Sequence, residues 1–445
     1  MLSEIQRQSL NRAVCDYVRQ NGGSPQLLSQ LESLLPGPDA SHKQDTQLLE
    51  RKWNSIVRLQ SRIMELEKQC SSNSSSSSSS NSTTNDSQQT IDNANANWIP
   101  KDNPSFQITL EAPVTALCLH PTLPIIYVGL ESGKLLRYDI LNVELPLQST
   151  MAHLDAITSI SVSLPNTNSS SSRPAYLATT SKDLNCKIWE LDRDSSLTHI
   201  RTLVGHEHTV SECQFFEKDS DLYLATCSRD LSVKIWDTSN GWCIKSFQPH
   251  TQWVRTLHVR GEYILTGSND SALRLTHWPS GNGLSMGIGH EFPVETVRIL
   301  AQNANDILPQ YQPLGFQYVA SASRDGTIRI WKVSLPKFIP HRPPRPNPMD
   351  TNFRLMVVLK GHKSWVRHLC QFNNKLYSCS DDGSIKCWEL NWHDISSTTC
   401  TKTWDLSENG FQNCLALDNI DFTNYPSRKL LFSGSNNGTL TCFMR

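Results

Sequence analysis

Three things are scarce in this chain, namely a surplus of basic charge, long apolar runs and paired cysteines, and each absence closes off a class of protein. Lys and Arg total 41 against 42 Asp and Glu, a formal net charge of −1, so bulk attraction to nucleic acid is not expected. No run of about 18 apolar residues occurs, and Glu4, Arg7, Arg12 and Asp16 stand where a secretory leader has its apolar centre. The chain is therefore expected to be neither secreted nor membrane-spanning. Its 13 Cys are scattered singly with no C-x-x-C pair, which argues against disulfides and structural zinc. There is no G-x-S-x-G, no Gly-rich phosphate loop and no H-E-x-x-H, so no enzymatic chemistry, metal or cofactor is expected. A basic nuclear-localisation cluster is missing too.

What is present is a repeat. In the stretch Ser323 to Trp331 an Asp precedes a Trp by six residues, and the spacing recurs at Asp183 and Trp189, Asp230 and Trp236, Asp325 and Trp331, and Asp382 and Trp388. Degenerate copies put Thr276 after Asp270, Phe443 after Asn437 and Tyr138 after Ser132, for seven copies in all. A hydroxyl lies four residues before most of these positions, at Thr179, Thr226, Thr266, Ser321, Ser378 and Ser433. Further upstream is a His, at His153, His206, His250, His290 and His362. The period of about 40 to 57 residues is that of a four-stranded propeller blade. Val233 to Trp236 alternates apolar and polar in the manner of a strand following a tight turn.

These residues resemble the WD-repeat family, whose Gly-His and Trp-Asp signatures mark β-propellers. The resemblance implies an all-β seven-bladed propeller over 98–445, preceded by an α-helical region. It also implies structural hydrogen-bonded tetrads, among them His206, Thr226, Asp230 and Trp236; His290, Ser321, Asp325 and Trp331; and His362, Ser378, Asp382 and Trp388. A buried Asp needs partners, and an imidazole and a hydroxyl supply them. Catalysis is a poor alternative, because enzymes do not repeat one triad in blade after blade. The family closes its ring with an N-terminal strand, for which Phe106 to Leu110 beside Leu440 to Phe443 is the candidate. Blades one and seven lack the Gly-His, so their hydrogen-bond chains are expected to be incomplete. Insertions at 165–174, 302–313 and 336–348 are expected to be loops decorating the ring.

Ahead of the propeller, Ile5, Leu10, Val14, Tyr17 and Val18 fall at helical spacing up to Asn21-Gly22-Gly23, and Ser24-Pro25 starts a second short helix. Residues 1–38 resemble the LisH motif, a helical dimerisation unit. In 44–70, Leu49, Ile56 and Ile63 repeat every seven residues, with Leu59 and Leu66 at the complementary positions. A parallel two-stranded coiled coil fits this pattern, as does a helix folded against the propeller. Residues 71–97 are almost wholly Ser, Asn, Thr, Asp and Gln and are expected to be a disordered linker.

Once the tetrads are assigned, large residues at loop positions remain: Arg229, Trp253, Arg255, Arg298, Arg324, Trp365 and Arg367. Together they are candidates for an aromatic and basic patch on one rim, built of residue types that dominate interfaces. Alternatively, each Arg pairs a neighbouring acid and each Trp packs between blades.

The order of a LisH-like unit, a coiled coil containing Leu48 to Trp53 and Met64 to Glu67, then Trp98-Ile99-Pro100 and seven repeats is similar to the lissencephaly/nuclear-distribution family, in a fungal form. The resemblance implies a non-catalytic homodimeric regulator that binds the motor domain of the cytoplasmic dynein heavy chain and a coiled-coil nuclear-distribution adaptor. It further implies association with microtubules, at plus ends and the spindle pole in the cytoplasm, in support of nuclear migration and spindle positioning. Arg229, Arg255, Arg324 and Trp365 match the family's dynein-facing positions. A Lys that family members carry after the blade-six Asp is Gly383 here. Another LisH-bearing propeller, either a ubiquitin-ligase substrate receptor or a corepressor subunit, is the alternative, and a non-catalytic acetylhydrolase subunit is a third.

Overall fold

A computed structural model describes residues 99–444 apart from 122, 141, 144, 165–173, 192–196 and 418–429. Leu10, Val14, Tyr17, Val18, Leu49, Ile56, Leu59, Ile63 and Leu66 lie outside the described residues, as do the 71–97 stretch and most of the first insertion.

Each repeat folds into a four-stranded antiparallel sheet, and seven such sheets are present. Blade three shows the plan: Val210–Lys218, Asp221–Ser228, Val233–Asp237 and Cys243–Phe247 follow one another in space as in sequence. The alternation read in Val233 to Trp236 sends Val233, Ile235 and Trp236 inward and leaves Lys234 half-buried. Successive sheets pack face to face, so the core is divided into seven clusters that each straddle a blade boundary. One such cluster joins Leu265 and Leu275 of blade four to Val297 and Trp331 of blade five.

The ring closes where the sequence placed its seam. Phe106–Thr109 pairs antiparallel with Thr439–Met444, with Phe106 opposite Cys442 and Ile108 opposite Leu440, completing blade seven with a strand from the other end of the chain. Residues just before it are held as well: Lys402 Nζ donates to Pro100 O at 2.5 Å and Trp404 Nε1 to Lys101 O at 2.8 Å.

Two insertions are more than decoration. Within 302–313, two short 3₁₀ turns bury Tyr311, whose hydroxyl donates to Val333 O at 2.8 Å. Beyond the Pro-rich segment, Met286 N donates to Thr351 O at 2.9 Å and Phe353 N to Met286 O at 2.6 Å. The segment is thus strapped along the outer strand of blade four, where it covers an otherwise unpaired sheet edge.

Candidate functional site

The tetrad residues meet, and their donor inventory fixes the direction of every bond. In blade three, Trp236 Nε1 donates to Thr226 Oγ1 at 2.8 Å, because an indole N–H can only donate. The hydroxyl hydrogen then goes to His206 Nε2 at 2.8 Å, which leaves Nδ1 protonated and donating to Asp230 at 2.7 Å. The same chain runs through His153, Thr179, Asp183 and Trp189; through His290, Ser321, Asp325 and Trp331; and through His362, Ser378, Asp382 and Trp388. Burial alone would raise the pKa values of Asp230, Asp325 and Asp382, but the His and hydroxyl donors overcome it and hold all three well below the ordinary carboxylate range. Burial pushes His153 and His290 down despite their Asp partners.

Two features escaped the repeat reading. A second serine two residues before the Asp accepts from the Asp backbone N–H and donates to the inter-blade loop that opens its own repeat, as Ser228 does to His208 O at 2.9 Å and Ser323 to Phe292 O at 3.0 Å. The same alignment that revealed the Asp contains that column. Blade seven, without its His, also keeps a substitute bond: Ser433 Oγ donates to Gln412 Oε1 at 2.5 Å.

The rim is organised by a backbone device. In all seven blades the pairing of the innermost strand slips by one residue just after its start. Such a bulge re-aims one side chain. The bulged positions are Thr115, Thr158, Ser211, Arg255, Glu295, Arg367 and Asn413, and all seven line a central channel of about 850 Å³. They are neutral in blades one, two, three and seven, and charged in blades four, five and six. The ring is therefore asymmetric, with one electrically distinct sector.

Within that sector the predicted residues come together. The Arg324 guanidinium lies 4.0 Å from the Trp365 ring centre and that of Arg367 lies 4.8 Å from it, so one indole is flanked by two cations. Two blades round the ring, Arg229 stacks on Trp253 at 5.0 Å. Trp253 and Trp365 remain 38% and 36% exposed, enough for both rings to offer a face. Arg367 is doubly bonded to Asp381, at 2.7 Å for each bond; burial opposes its charge, yet the carboxylate raises its pKa above the usual guanidinium value.

Two of the arginines are held by acidic or amide partners, and the placing of a third on the rim needs correction. Arg324 does not project unattached from its turn, because its Nε is held by Glu295, which also pairs with Arg255 at 3.2 Å. Arg255 does not share a Trp in the way that Arg324 does; its Nε donates to Asn269, and burial, opposed by Glu295 and reinforced by neighbouring arginines, lowers its pKa to about 10. Arg298 is not on the rim. The bulge aligns Glu295, not Arg298, with Arg255, and three residues further along the strand Arg298 reaches across the channel to Glu212 at 3.2 Å, Leu369 O at 3.0 Å and His368 Nε2 at 2.8 Å. Glu295 itself was missed, although it stands five residues after His290, as Arg255 does after His250 and Arg367 after His362.

Gly383 also finds its reason. It holds φ +79°, and a Cβ there would lie 2.6 Å from Ser407 Cα, so the turn leaves no room for a side chain.

Seven four-stranded blades with repeated His, hydroxyl, Asp and Trp chains define a WD-repeat propeller, and the family described as WD domain, G-beta repeat matches residues 197–237, 241–276, 288–332 and 353–389. The Nuclear distribution protein PAC1 of Kluyveromyces lactis is 72% identical over 445 residues, spanning all of both chains. The proteins of that name from Eremothecium gossypii and Saccharomyces cerevisiae strain YJM789 are each 44% identical, over 467 and 420 residues, covering 100% and 90% of this chain and 99% and 84% of theirs. The chain belongs to the nuclear distribution protein PAC1 family.

Proposed function

We propose that this chain serves nuclear distribution as a non-catalytic regulator of cytoplasmic dynein, gripping the motor domain with the charged sector of its rim. The observation that carries this reading is the pair of cation-flanked indoles, Trp365 between Arg324 and Arg367 and Trp253 beside Arg229, gathered on one side of the ring. Tryptophan and arginine are the residue types most often found as interface hot spots. A basic sector steers an acidic partner and makes the complex sensitive to salt. Arg298 belongs to the channel wall in this scheme and supports the sector from within. The reading extends to a homodimer formed by a LisH-like unit at 1–38 and a coiled coil at 44–70, with 71–97 as a tether. A coiled-coil nuclear-distribution adaptor and microtubule association, at plus ends and the spindle pole, complete it.

The test is the affinity of the full chain for isolated dynein motor domain. Arg324→Ala and Trp365→Ala are each expected to weaken it by about 2 kcal/mol or more, with an unchanged circular dichroism spectrum. Asp221→Ala, at the exposed start of the otherwise buried second strand of blade three and at its opposite end from Arg229, is the control. Wild-type affinity in folded Arg324→Ala and Trp365→Ala proteins removes the sector from the mechanism.

A further inference from the structure

Thr276 stands where six of the seven repeats carry an aromatic ring, namely Tyr138, Trp189, Trp236, Trp331, Trp388 and Phe443. In blades three, five and six that ring reaches back to the glycine before the repeat His. A Cβ on Gly205, Gly289 or Gly361 would lie 3.2, 2.9 or 3.3 Å from the end of its indole. Blade four has Pro249 at the glycine position and no ring to meet it. Trp278, two residues after Thr276, does not fill the gap: it packs instead on Phe216 and Tyr223 of blade three, with ring centres 5.3 and 5.6 Å away.

The slot that results is a cavity of about 300 Å³, with Thr276 and Pro249 both in its wall. That volume is at the small end of the roughly 300–1,000 Å³ typical of ligand sites. Its apolar lining comes from Phe247, Leu284, Met286 and Pro346, the last of these contributed by the Pro-rich strap. Exposed Gln248 and Gly283 mark its mouth. One polar atom on the Thr276 face of the lining, Arg274 Nε, is buried without a hydrogen-bond partner. An unpaired buried donor is costly, so a ligand bringing an acceptor to it gains the bond the fold leaves unmade.

We infer that this slot is a binding site for a planar aromatic group bearing a carboxylate. The ring takes the place of the missing indole between Thr276 and Pro249, and the carboxylate accepts from the guanidinium of Arg274, which shares the face of Thr276. The ligand is a free aromatic acid or the side chain of a partner peptide in which an aromatic residue adjoins an acidic one. The site is separate from the charged sector of the rim and does not depend on its function.

The experiment uses the full chain and two probes, indole-3-propionate and the blocked tetrapeptide Gly-Trp-Glu-Gly, in calorimetric titrations. Saturable binding near 1 mM or tighter is expected for at least one, the affinity that a ligand of about fourteen non-hydrogen atoms reaches at ordinary efficiency. Thr276→Trp, which installs the ring the other blades carry, is expected to weaken that binding at least tenfold while circular dichroism and unfolding temperature confirm the fold. Arg274→Gln is expected to cost a similar factor with either probe, and it decides the matter should Thr276→Trp fail to fold. A tetrapeptide binding at least tenfold tighter than the free acid assigns the site to a peptide partner; the reverse order assigns it to a small molecule. No saturable binding of either probe, or equal binding by wild type and the variants, overturns the inference.

Discussion

Asp325 accepts from His290 at 2.7 Å, from Thr327 N at 2.8 Å and from the Thr327 hydroxyl at 2.6 Å, so replacing it by Ala leaves several buried donors without an acceptor. At about 1–3 kcal/mol per orphaned group, Asp325→Ala is expected to destabilise the propeller by several kcal/mol in urea titrations, against a much smaller loss of motor affinity per folded molecule. Glu295 poses the opposite case. It holds Arg324 and Arg255 in place, while Arg255 also faces repulsion from Arg324, Arg229 and Arg367. Glu295→Gln keeps the shape and removes the countercharge, so Arg324 is expected to leave Trp365 and motor affinity to fall about tenfold, with little change in unfolding temperature. Unchanged affinity would show that the stack does not need this carboxylate. These two residues mark the limit of legibility at this scale. Asp325 could be read because its role repeats in most blades. Glu295 was hidden because its role arises from a bulge, which local pattern does not announce, and because its column varies in charge from blade to blade.

Strands carry their own titration. His258, on the innermost strand of blade four, accepts from Ile299 N at 3.4 Å through Nδ1, and burial together with Arg298 and Arg260 pushes its pKa down from 6.5 to about 3. His368 faces the Arg298 guanidinium and is likewise held far below 6.5, by burial first and Arg298 second. A histidine kept neutral in the fold but free to protonate when unfolded makes the unfolded state the better proton acceptor. Stability is therefore complete above pH 6.5 and falls as the pH drops below it, by up to about 1.4 kcal/mol per pH unit for each such residue. The depressed Asp values add a second loss that starts below about pH 4. Urea titrations at pH 7 and pH 5 should show the first loss, and His258→Asn, which retains an acceptor for Ile299 N–H, should recover about 2 kcal/mol of it at pH 5. An equal loss in the variant would place the acid sensitivity elsewhere. The strands and the tight turns were legible because each follows from a short local pattern repeated along the chain, and the seam because the family resemblance implied it. The strap on blade four and the helical turns at 304–311 were not, because they lie in insertions that obey no repeat.

For the whole molecule, the decisive boundary is the start of the propeller. Ring closure uses Phe106–Thr109, and the residues before it are tied to blade six through Pro100, Lys101 and Asp102, the last paired with Lys402 at 2.7 Å. A chain beginning at Trp98 keeps all of these contacts. One beginning at Glu111 loses the fourth strand of blade seven and leaves Thr439–Met444 as an unpaired edge, open to pairing with other molecules. The chain from Trp98 is expected to be a folded monomer whose unfolding temperature matches that of the propeller in the full chain, whereas the chain from Glu111 should unfold earlier and aggregate. On the proposed homodimer through residues 1–70, the full chain is expected to sediment as a dimer. Two tethered propellers should then hold a dimeric motor more tightly than one, by the effective concentration the 71–97 linker allows. Sedimentation of the three chains, with motor binding by the first two, tests both steps. A dimeric propeller from Trp98, or a monomeric full chain, would move the two-fold contact out of residues 1–70, and equal motor binding by monomer and dimer would show that the two propellers do not act together.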